Sequence, residues 1–469
     1  MGLTKAKYSM IAGLTTVSVT DFGADPTGVA DSYAAIQAAY DSDAAIIQFP
    51  SGTFRMSQTL YIDRGITING SGAMDGSGNN GQSAGVASTV INYTGTGNCI
   101  DIVGNYTEGV SNVHLSNFMI NGNVLADGGL FLGSGTHMTK CTFKNLGIFK
   151  FLNATTNKGY GVAVRNCLET VFENIYVHGC HDGFNIGFGA STSCEFRSCF
   201  SRVNNQYGWN IRQGNGHSFY QCMAEGNRKT GLVLNTDTGK HVAQLTFYSW
   251  YSEANGLDAD TYPAALVTST GTGVCNQIYF NSPIFYDYST YNTGTGVWDI
   301  AAIKLGKCSA VQFTDAGVTS QNTNFIECTS DTVAAEWQGY GGSTSSTGIA
   351  NNEVVGGRMR VKTTDQQTPG FGAFVKVNVT DAFTTAWTIP VSTNGLLMVT
   401  GGTGGQYGGS ATFVVCRPAI GNGGIAATST FVGDGSSYTI SWQLTGSNFE
   451  LKHNQTGVTI QATLYFMAA

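Results

Sequence analysis

CTFKNLGIFK (Cys141–Lys150) and TVFENIYVHG (Thr170–Gly179) share one pattern around a central phenylalanine. Similar segments recur through the middle of the chain, each built around an anchor residue. The anchors are Phe143, Phe172, Phe196, Phe219, Phe247, Phe280 and Phe313, with Leu115 one unit upstream. They follow one another at intervals of 23 to 33 residues, which predicts a constant structural frame with loops of varied length.

Each unit repeats more than its anchor. Two residues before the anchor the side chain is apolar or small, and His217 is the exception. Two residues after it stands a small polar residue: Asn117, Asn145, Asn174, Ser198, Gln221, Ser249 or Ser282. Leucine-rich spacing and the 3.6-residue period of helical repeats are both absent. The pattern predicts a parallel β-helix of about ten coils, with stacked phenylalanines inside and stacked polar side chains along a turn.

The N-terminal region adds a motif of its own. VTDFGADPTGVADSYAAIQAAY (Val19–Tyr40) combines a tight turn with a short helix that opens near Asp31 or Ser32 and has Ile36 and Ala39 on one face. AAIIQFPSGTFRMSQTLYI follows at once. Together these motifs resemble the start of the right-handed β-helix of the pectate-lyase superfamily, particularly of bacteriophage tailspikes. The motifs cover about residues 17–68, and the repeat pattern carries the resemblance to about residue 360. The resemblance implies that the helix caps the open end of the coil.

The domain organisation follows from these patterns and from the C-terminal sequence. The predicted fold is all-β: a right-handed parallel β-helix with a short N-terminal capping helix and a C-terminal β-sandwich. We assign 1–18 to a lead-in segment, 19–360 to the β-helix and its cap, and 361–370 to a linker. Residues 371–469 show alternating strands and are assigned to the sandwich. In tailspikes such a domain forms the trimer or binds carbohydrate.

Composition limits the partners. The formal net charge is −7 and only 11% of the residues are charged, so nucleic-acid binding has little electrostatic support. No apolar run is long enough to insert into a membrane. The eleven cysteines are an odd number, and we interpret them as buried free thiols of a protein that folds in a reducing cytoplasm. Cys194 and Cys199 lack a second pair with zinc-ligand spacing, so we expect no metal and no cofactor.

One position in the repeat carries candidate chemistry. The residues six positions after the anchors form an expected outward column, which we call the +6 column: Asn121, Phe149, His178, Arg202, Glu225, Glu253 and Tyr286. Glu225 and Glu253 on successive coils would place two carboxyls about 5 Å apart, as in a retaining glycosidase, with one of them held protonated by the other. Asp182 is a further catalytic candidate, and Asp258 and Asp260 on adjacent loops are reserves. Glu225 with Asp182 or Asp258 could form an inverting pair. The alternative is that these residues are ordinary solvated side chains.

The neighbours of the two glutamates have two interpretations. His178 and Arg202 could bind an acidic sugar, or serve as base and neutralising cation in a polysaccharide lyase. The repeats show no aspartate cluster like the calcium site of pectate lyases, which ranks the lyase second. Substrate-binding aromatic residues on this face are Tyr176, Tyr251 and Tyr286, together with Phe200. Such rings either stack on sugars or form a trimer interface, and the sequence leaves both open.

The resemblance and the +6 column together predict a function. The chain is expected to be a homotrimeric phage tailspike depolymerase that binds and cleaves a bacterial surface (capsular) polysaccharide, with glycoside hydrolysis as the reaction. A polysaccharide lyase is the first alternative, and a non-catalytic receptor-binding spike is the second. The expected location is the virion tail, in contact with other tail proteins, after folding in the host cytoplasm.

Overall fold

The computed structural model describes residues 15–316, apart from 73–87, 105–108, 154–158, 188, 259–261 and 287–302. Beyond residue 316 it describes the backbone of the strands named below. The described part contains one α-helix, Tyr33–Tyr40, and one short 3-10 helix, Val19–Phe22. All its other regular elements are strands.

Most of the strands belong to two long parallel sheets and one short one. The first sheet has 21 strands: Thr16–Ser18, Thr27–Asp31, Ile46–Gln48, Gly52–Met56, Ile66–Asn69, Thr89–Tyr93, Val113–Asn121, Thr142–Phe149, Val171–His178, Glu195–Arg197, Phe200–Arg202, Gly214–Asn215, Ser218–Tyr220, Met223–Glu225, His241–Tyr248, Tyr251–Glu253, Val274–Asn281, Ile284–Tyr286, Ser309–Thr319, Ala335–Gly342 and Met359–Val361. The second has 11: Leu60–Ile62, Asn98–Gly104, Gly128–Gly135, Tyr160–Val164, Asp182–Ile186, Trp209–Ile211, Leu232–Thr236, Ala265–Ser269, Ile303–Leu305, Ile326–Cys328 and Ile349–Ala350. The third has three: Val110–Ser111, Met138–Thr139 and Cys167–Leu168. Because each coil contributes strands to both long sheets, the predicted right-handed parallel β-helix is confirmed.

The anchor phenylalanines form a continuous stack inside the coil. Register pairs each anchor with the next, as in Phe143 with Phe172 and Phe196 with Phe219. Ring centroids from Phe143 to Phe313 lie 4.4–5.2 Å apart, with interplanar angles of 3–18°. The stack is fully buried. Stacked aromatic pairs add to the free energy gained by burying each ring, so this column is a main source of the core's stability.

The polar position two residues after the anchor turns the chain. All seven predicted residues have positive φ, between 48° and 63°, which is the left-handed conformation that asparagine tolerates better than most residues. The amide of Asn145 donates to Asn117 at 3.0 Å, and that of Asn174 donates to Asn145 at 2.9 Å. The predicted hydrogen-bonded stack along a turn is therefore confirmed.

A second asparagine stack, which was not predicted, lies inside the coil at another turn. Asn204 donates to Asn227 at 2.8 Å, and Asn227 donates to Asn255 at 2.7 Å. All three are buried, and each oxygen of Asn227 and Asn255 also accepts a backbone N–H from the coil before. These three residues occupy the same position, eight residues after an anchor.

The N-terminal helix begins after Ser32 and buries Ile36, Ala39 and Tyr40. These side chains belong to the same apolar core as the coil, which agrees with the predicted cap. The Tyr40 hydroxyl contacts Asp63 at 2.7 Å and ties the helix to the first coils. The first strand, Thr16–Ser18, pairs with Ile46–Gln48, so the sheet starts within the segment that we assigned to the lead-in.

Strand Met359–Val361 pairs antiparallel with Ala335–Gly342 and ends the first sheet, so Val361 belongs to a strand rather than to the predicted linker. Two antiparallel sheets follow. One contains Ala373–Val379, Ile460–Ala468, Thr393–Gly402, Gly409–Arg417 and Gly424–Ala427, and the other contains Thr384–Thr388, Asn448–His453 and Ile440–Thr445. The predicted linker after Val361 lies outside the described residues, and the sandwich stays a prediction.

Cysteines and membrane spans can be compared with the sequence predictions over the described residues. The nine cysteines there are all free and buried, as predicted. Burial raises the pKa of the Cys194 thiol to about 12, so it is an inert core group. No described helix has the length and apolar character needed to cross a membrane.

Candidate functional site

The predicted +6 column exists as a row of paired residues. His178 pairs in register with Arg202, Arg202 with Glu225, and Glu225 with Glu253. Tyr286 pairs with Glu253 at the next coil. The alignment of the repeats is therefore confirmed, and the two glutamates occupy equivalent positions on adjacent parallel strands.

Arg202 is the centre of this row. Its Nη2 donates to Oε1 of Glu225 at 2.5 Å, and its Nη1 donates to the hydroxyl of Tyr176 at 3.5 Å. Both charged side chains are about one-quarter exposed. A partly desolvated ion pair is screened less by water and salt than an exposed one, so Arg202 fixes the position of the Glu225 carboxylate.

The second carboxylate has a different partner. The hydroxyl of Tyr251 donates to Oε2 of Glu253 at 2.8 Å. Burial and the neighbouring Glu253 raise the pKa of Tyr251 to about 12, so the phenol keeps its proton at neutral pH. Glu225 is thus held by a cation and Glu253 by a neutral hydroxyl.

His178 lies two coils before Glu225. It is buried, and its ring centroid is 5.9 Å from Phe149 and 6.1 Å from Tyr176. Burial, with Arg202 and Lys150 nearby, lowers its pKa to about 4. His178 is therefore neutral at physiological pH, and a neutral imidazole can accept a proton. Lys150 is not among the predicted site residues, because it follows directly after Phe149 and so lies outside the +6 column.

The predicted aspartates are not part of this row. Asp182 starts a strand of the 11-stranded sheet, where its carboxylate accepts hydrogen bonds from the amides of Asn185 and Asn210. Asp258 pairs with Arg228 at 3.2 Å, and Asp260 lies outside the described residues. The contacts around Asp182 hold it in a different polar network from that of Glu225.

The aromatic residues line the same outward face. Tyr176, Phe200 and Tyr251 are half-buried, and Ile284 on the same column is 48% exposed. Tyr286 is half-buried beside Glu253. This arrangement surrounds the carboxylates with apolar ring surface, which suits both sugar stacking and a subunit contact.

The described residues contain no group of three or more His, Cys, Asp or Glu side chains placed to hold a metal ion. The side chains in and beside the row are two carboxylates, one arginine, one neutral histidine and the phenols of Tyr176, Tyr251 and Tyr286. Two carboxylates on adjacent strands can act as acid and nucleophile or base. A neutral histidine next to an arginine and a tyrosine can also abstract a proton.

Comparison with known proteins supports the architecture. Residues 16–232 match the family model of rhamnogalacturonase A/epimerase, pectate lyase-like. The crystal structure of the Dettilon tailspike protein (gp208) aligns with a TM-score of 0.51 at 11% identity, and covers 97% of this chain and 95% of that one. The Azotobacter vinelandii mannuronan C-5 epimerase AlgE6 A-module aligns with a TM-score of 0.52 at 16% identity, and covers 71% and 95%. No curated protein sequence matches the chain. The predicted resemblance to the pectate-lyase superfamily is thus confirmed over residues 16–232, and the structural relatives show the fold.

Proposed function

We propose that this pectate-lyase-like β-helix is a phage tailspike depolymerase that binds and cleaves a bacterial capsular polysaccharide. The observation that carries the proposal is the in-register pair Glu225 and Glu253 on a half-buried face, with Arg202 bound to the first and Tyr251 to the second. Ion-pair and hydrogen-bond partners fix both carboxylates in place, and fixed catalytic groups need no rearrangement during the reaction.

The favoured reaction is glycoside hydrolysis. In-register residues on adjacent parallel strands are ~4.8 Å apart at the backbone, close to the ~5–5.5 Å between the carboxyls of a retaining glycosidase. In this mechanism Glu225 acts as nucleophile, positioned by Arg202. Glu253 protonates the leaving oxygen and later activates water. His178 and Tyr176 bind the sugar on the side of Arg202, and Tyr286 binds it on the side of Glu253.

A lyase is the second candidate, and the neutral state of His178 favours it. Burial and two neighbouring cations lower the pKa of His178 to about 4, so the imidazole is ready to act as a base at neutral pH. Arg202 would neutralise the carboxylate of a uronate, and the half-buried Tyr176 would supply the proton for the leaving oxygen. In this reaction the two glutamates are dispensable.

The proposal includes a homotrimer located in the virion tail, in contact with other tail proteins. The exposed side chain of Ile284, on an outward face of the first sheet, is suitable for a contact between copies of the chain. The free, buried cysteines fit folding in a reducing host cytoplasm. The C-terminal sheets would form the trimer or bind carbohydrate.

One experiment tests the function and separates its alternatives. The protein is mixed with purified capsular polysaccharides, and viscosity, new reducing ends and ultraviolet absorbance of an unsaturated sugar are followed together. Falling viscosity with reducing ends and no absorbance supports hydrolysis, whereas absorbance supports a lyase. Binding without any fall in viscosity would refute both reactions and leave a non-catalytic spike.

A further inference from the structure

A tyrosine lies flat along the outward face of the 11-stranded sheet. Register places Asn98, Gly128 and Tyr160 at the same position on three successive coils. The Tyr160 hydroxyl donates to Oδ1 of Asn98 at 3.0 Å, so the side chain reaches two coils along the axis. A Cβ on Gly128 would lie 2.5 Å from the ring of Tyr160, so the ring fills the space that a side chain at 128 would need.

The hydroxyl of Tyr160 ends in a polar network. Asn98 donates to Oδ2 of Asp101 at 3.3 Å, and Ser134 donates to Oδ1 of the same carboxylate at 2.5 Å. Asp101 is only 9% exposed although it stands on the outward face, and burial raises its pKa. On the next coils the guanidinium of Arg165 lies 4.3 Å from the ring centroid of Phe131. The ring of Phe131 lies 5.7 Å from that of Tyr160, so Tyr160 is held by a ring contact as well as by the polar network at its hydroxyl.

A second ring occupies the same row two coils further on. Asp182 pairs with Tyr160, and the pairing of Phe184 with Trp209 brings Tyr207 beside Asp182. The ammonium of Lys229 lies 5.8 Å from the ring of Tyr207 and 5.4 Å from that of Tyr262. Lys229 makes no ion pair with an acidic residue in the described part of the chain. Among the described residues, the ammonium of Lys229 thus contacts aromatic rings and no carboxylate.

This face is separate from the +6 column. His178 ends a strand of the first sheet, the turn 179–181 follows, and Asp182 begins a strand of the second. The two rows therefore lie on either side of one corner of the coil. Side chains on the two faces point in different directions, and each row has its own network of contacts.

We infer that the outward face of the 11-stranded sheet binds an acidic saccharide chain along the coil axis, with Tyr160 and Tyr207 as stacking platforms and Lys229 as the anion contact. Flat, immobilised rings provide apolar surface at little cost in conformational entropy, and the apolar faces of sugars stack on such rings. Asn98, Asp101 and Ser134 form the network that holds the hydroxyl of Tyr160 in place. The inference shares with the proposed function the premise that the ligand is a polysaccharide.

The test is binding to immobilised uronate-containing capsular polysaccharides, with dextran as the neutral comparison. Wild-type protein is expected to bind at least one acidic polysaccharide and not dextran. Tyr160→Ala is expected to weaken that binding about tenfold, and Tyr160→Phe, which keeps the ring, less. Lys229→Gln, a half-buried position outside the core, is expected to weaken binding and to reduce its dependence on salt. Tyr279→Ala is the matched control on the other sheet and should bind as wild type.

The outcomes separate this inference from the proposed function. If Tyr160→Ala and Lys229→Gln both bind as tightly as wild type, or if no acidic polysaccharide binds, the inference is wrong. If they bind weakly while Glu225→Gln and Glu253→Gln still cleave, the binding face stands and the proposed catalytic pair fails. If the glutamate variants bind but no longer cleave, and Tyr160→Ala binds poorly, both stand.

Discussion

His217 lies two residues before the anchor Phe219, at a position where the other coils have an apolar or small side chain. It makes the stability of the protein depend on pH. The side chain is fully buried, and its Nδ1 accepts the backbone N–H of Cys194 at 3.1 Å. Burial lowers its pKa to about 4 from the ordinary value of 6.5. The perturbation is a change from pH 7 to pH 5, at which the unfolded chain protonates this residue and the folded protein does not.

The size of the effect follows from the two pKa values. Because the pKa of His217 is lower in the folded protein than in the unfolded chain, the free energy of unfolding has its full value above pH 6.5. It falls as the pH drops towards 4. The loss at His217 is about 2 kcal/mol at pH 5 and about 3 kcal/mol at pH 4. His178, whose pKa is also lowered to about 4, adds a loss in the same direction.

The assay is urea unfolding at pH 7 and pH 5, compared between wild type and His217→Gln. Glutamine keeps a hydrogen-bond acceptor near Cys194 but does not titrate, so the variant should lose about 2 kcal/mol less between the two pH values. His241→Gln, at an exposed position, is the control and should lose as much as wild type. Equal losses in wild type and His217→Gln would show that His217 does not cause this pH dependence.

Three further predictions concern the fold. Phe196→Ala, in the middle of the aromatic stack, should lower the free energy of unfolding by ~3–5 kcal/mol, against less than ~1 for the exposed Tyr220→Ala; similar losses at both would contradict the stack's role. Asn227→Ala removes a buried amide and leaves its partners unsatisfied, so it should cost ~2–4 kcal/mol, whereas Asn174→Ala in the exposed stack should cost less than half as much by urea titration. The Thr27 hydroxyl and nearby backbone N–H groups lower the pKa of Asp25 to about 2, so this turn should contribute stability above pH 4 that is lost as the pH falls through 2. Asp25→Asn should remove that acid-side dependence, and an unchanged acid titration would count against it.

Part of this architecture can be predicted from the sequence because equivalent positions on successive coils lie in the same structural environment. The anchor phenylalanine stacks on its neighbours in the interior. The asparagine or serine two residues later takes the left-handed backbone conformation at a corner. The register of the +6 column follows from those anchors alone. The same logic would have found the buried stack of Asn204, Asn227 and Asn255, whose common spacing from the anchors was present in the sequence.

The sequence could not predict how the site residues are used. Asp182 lies ten residues after the anchor Phe172 and four after His178, but it begins a strand of the second sheet, whose register the phenylalanine anchors do not set. The flat orientation of Tyr160 depends on Gly128 and Asn98, which are 32 and 62 residues away in the chain. Such contacts arise only when coils of unequal length are brought into register.

The central claim is that Glu225 and Glu253 cleave the polysaccharide. It is tested most directly by measuring kcat/KM on a cleaved capsular polysaccharide for Glu225→Gln, Glu253→Gln and the control Glu173→Gln, whose carboxylate pairs with Lys144 on another outward position. We expect losses of ~10²–10⁴-fold for the first two and a wild-type value for the third, with polysaccharide binding retained in all. Wild-type turnover in either Glu225→Gln or Glu253→Gln would contradict it.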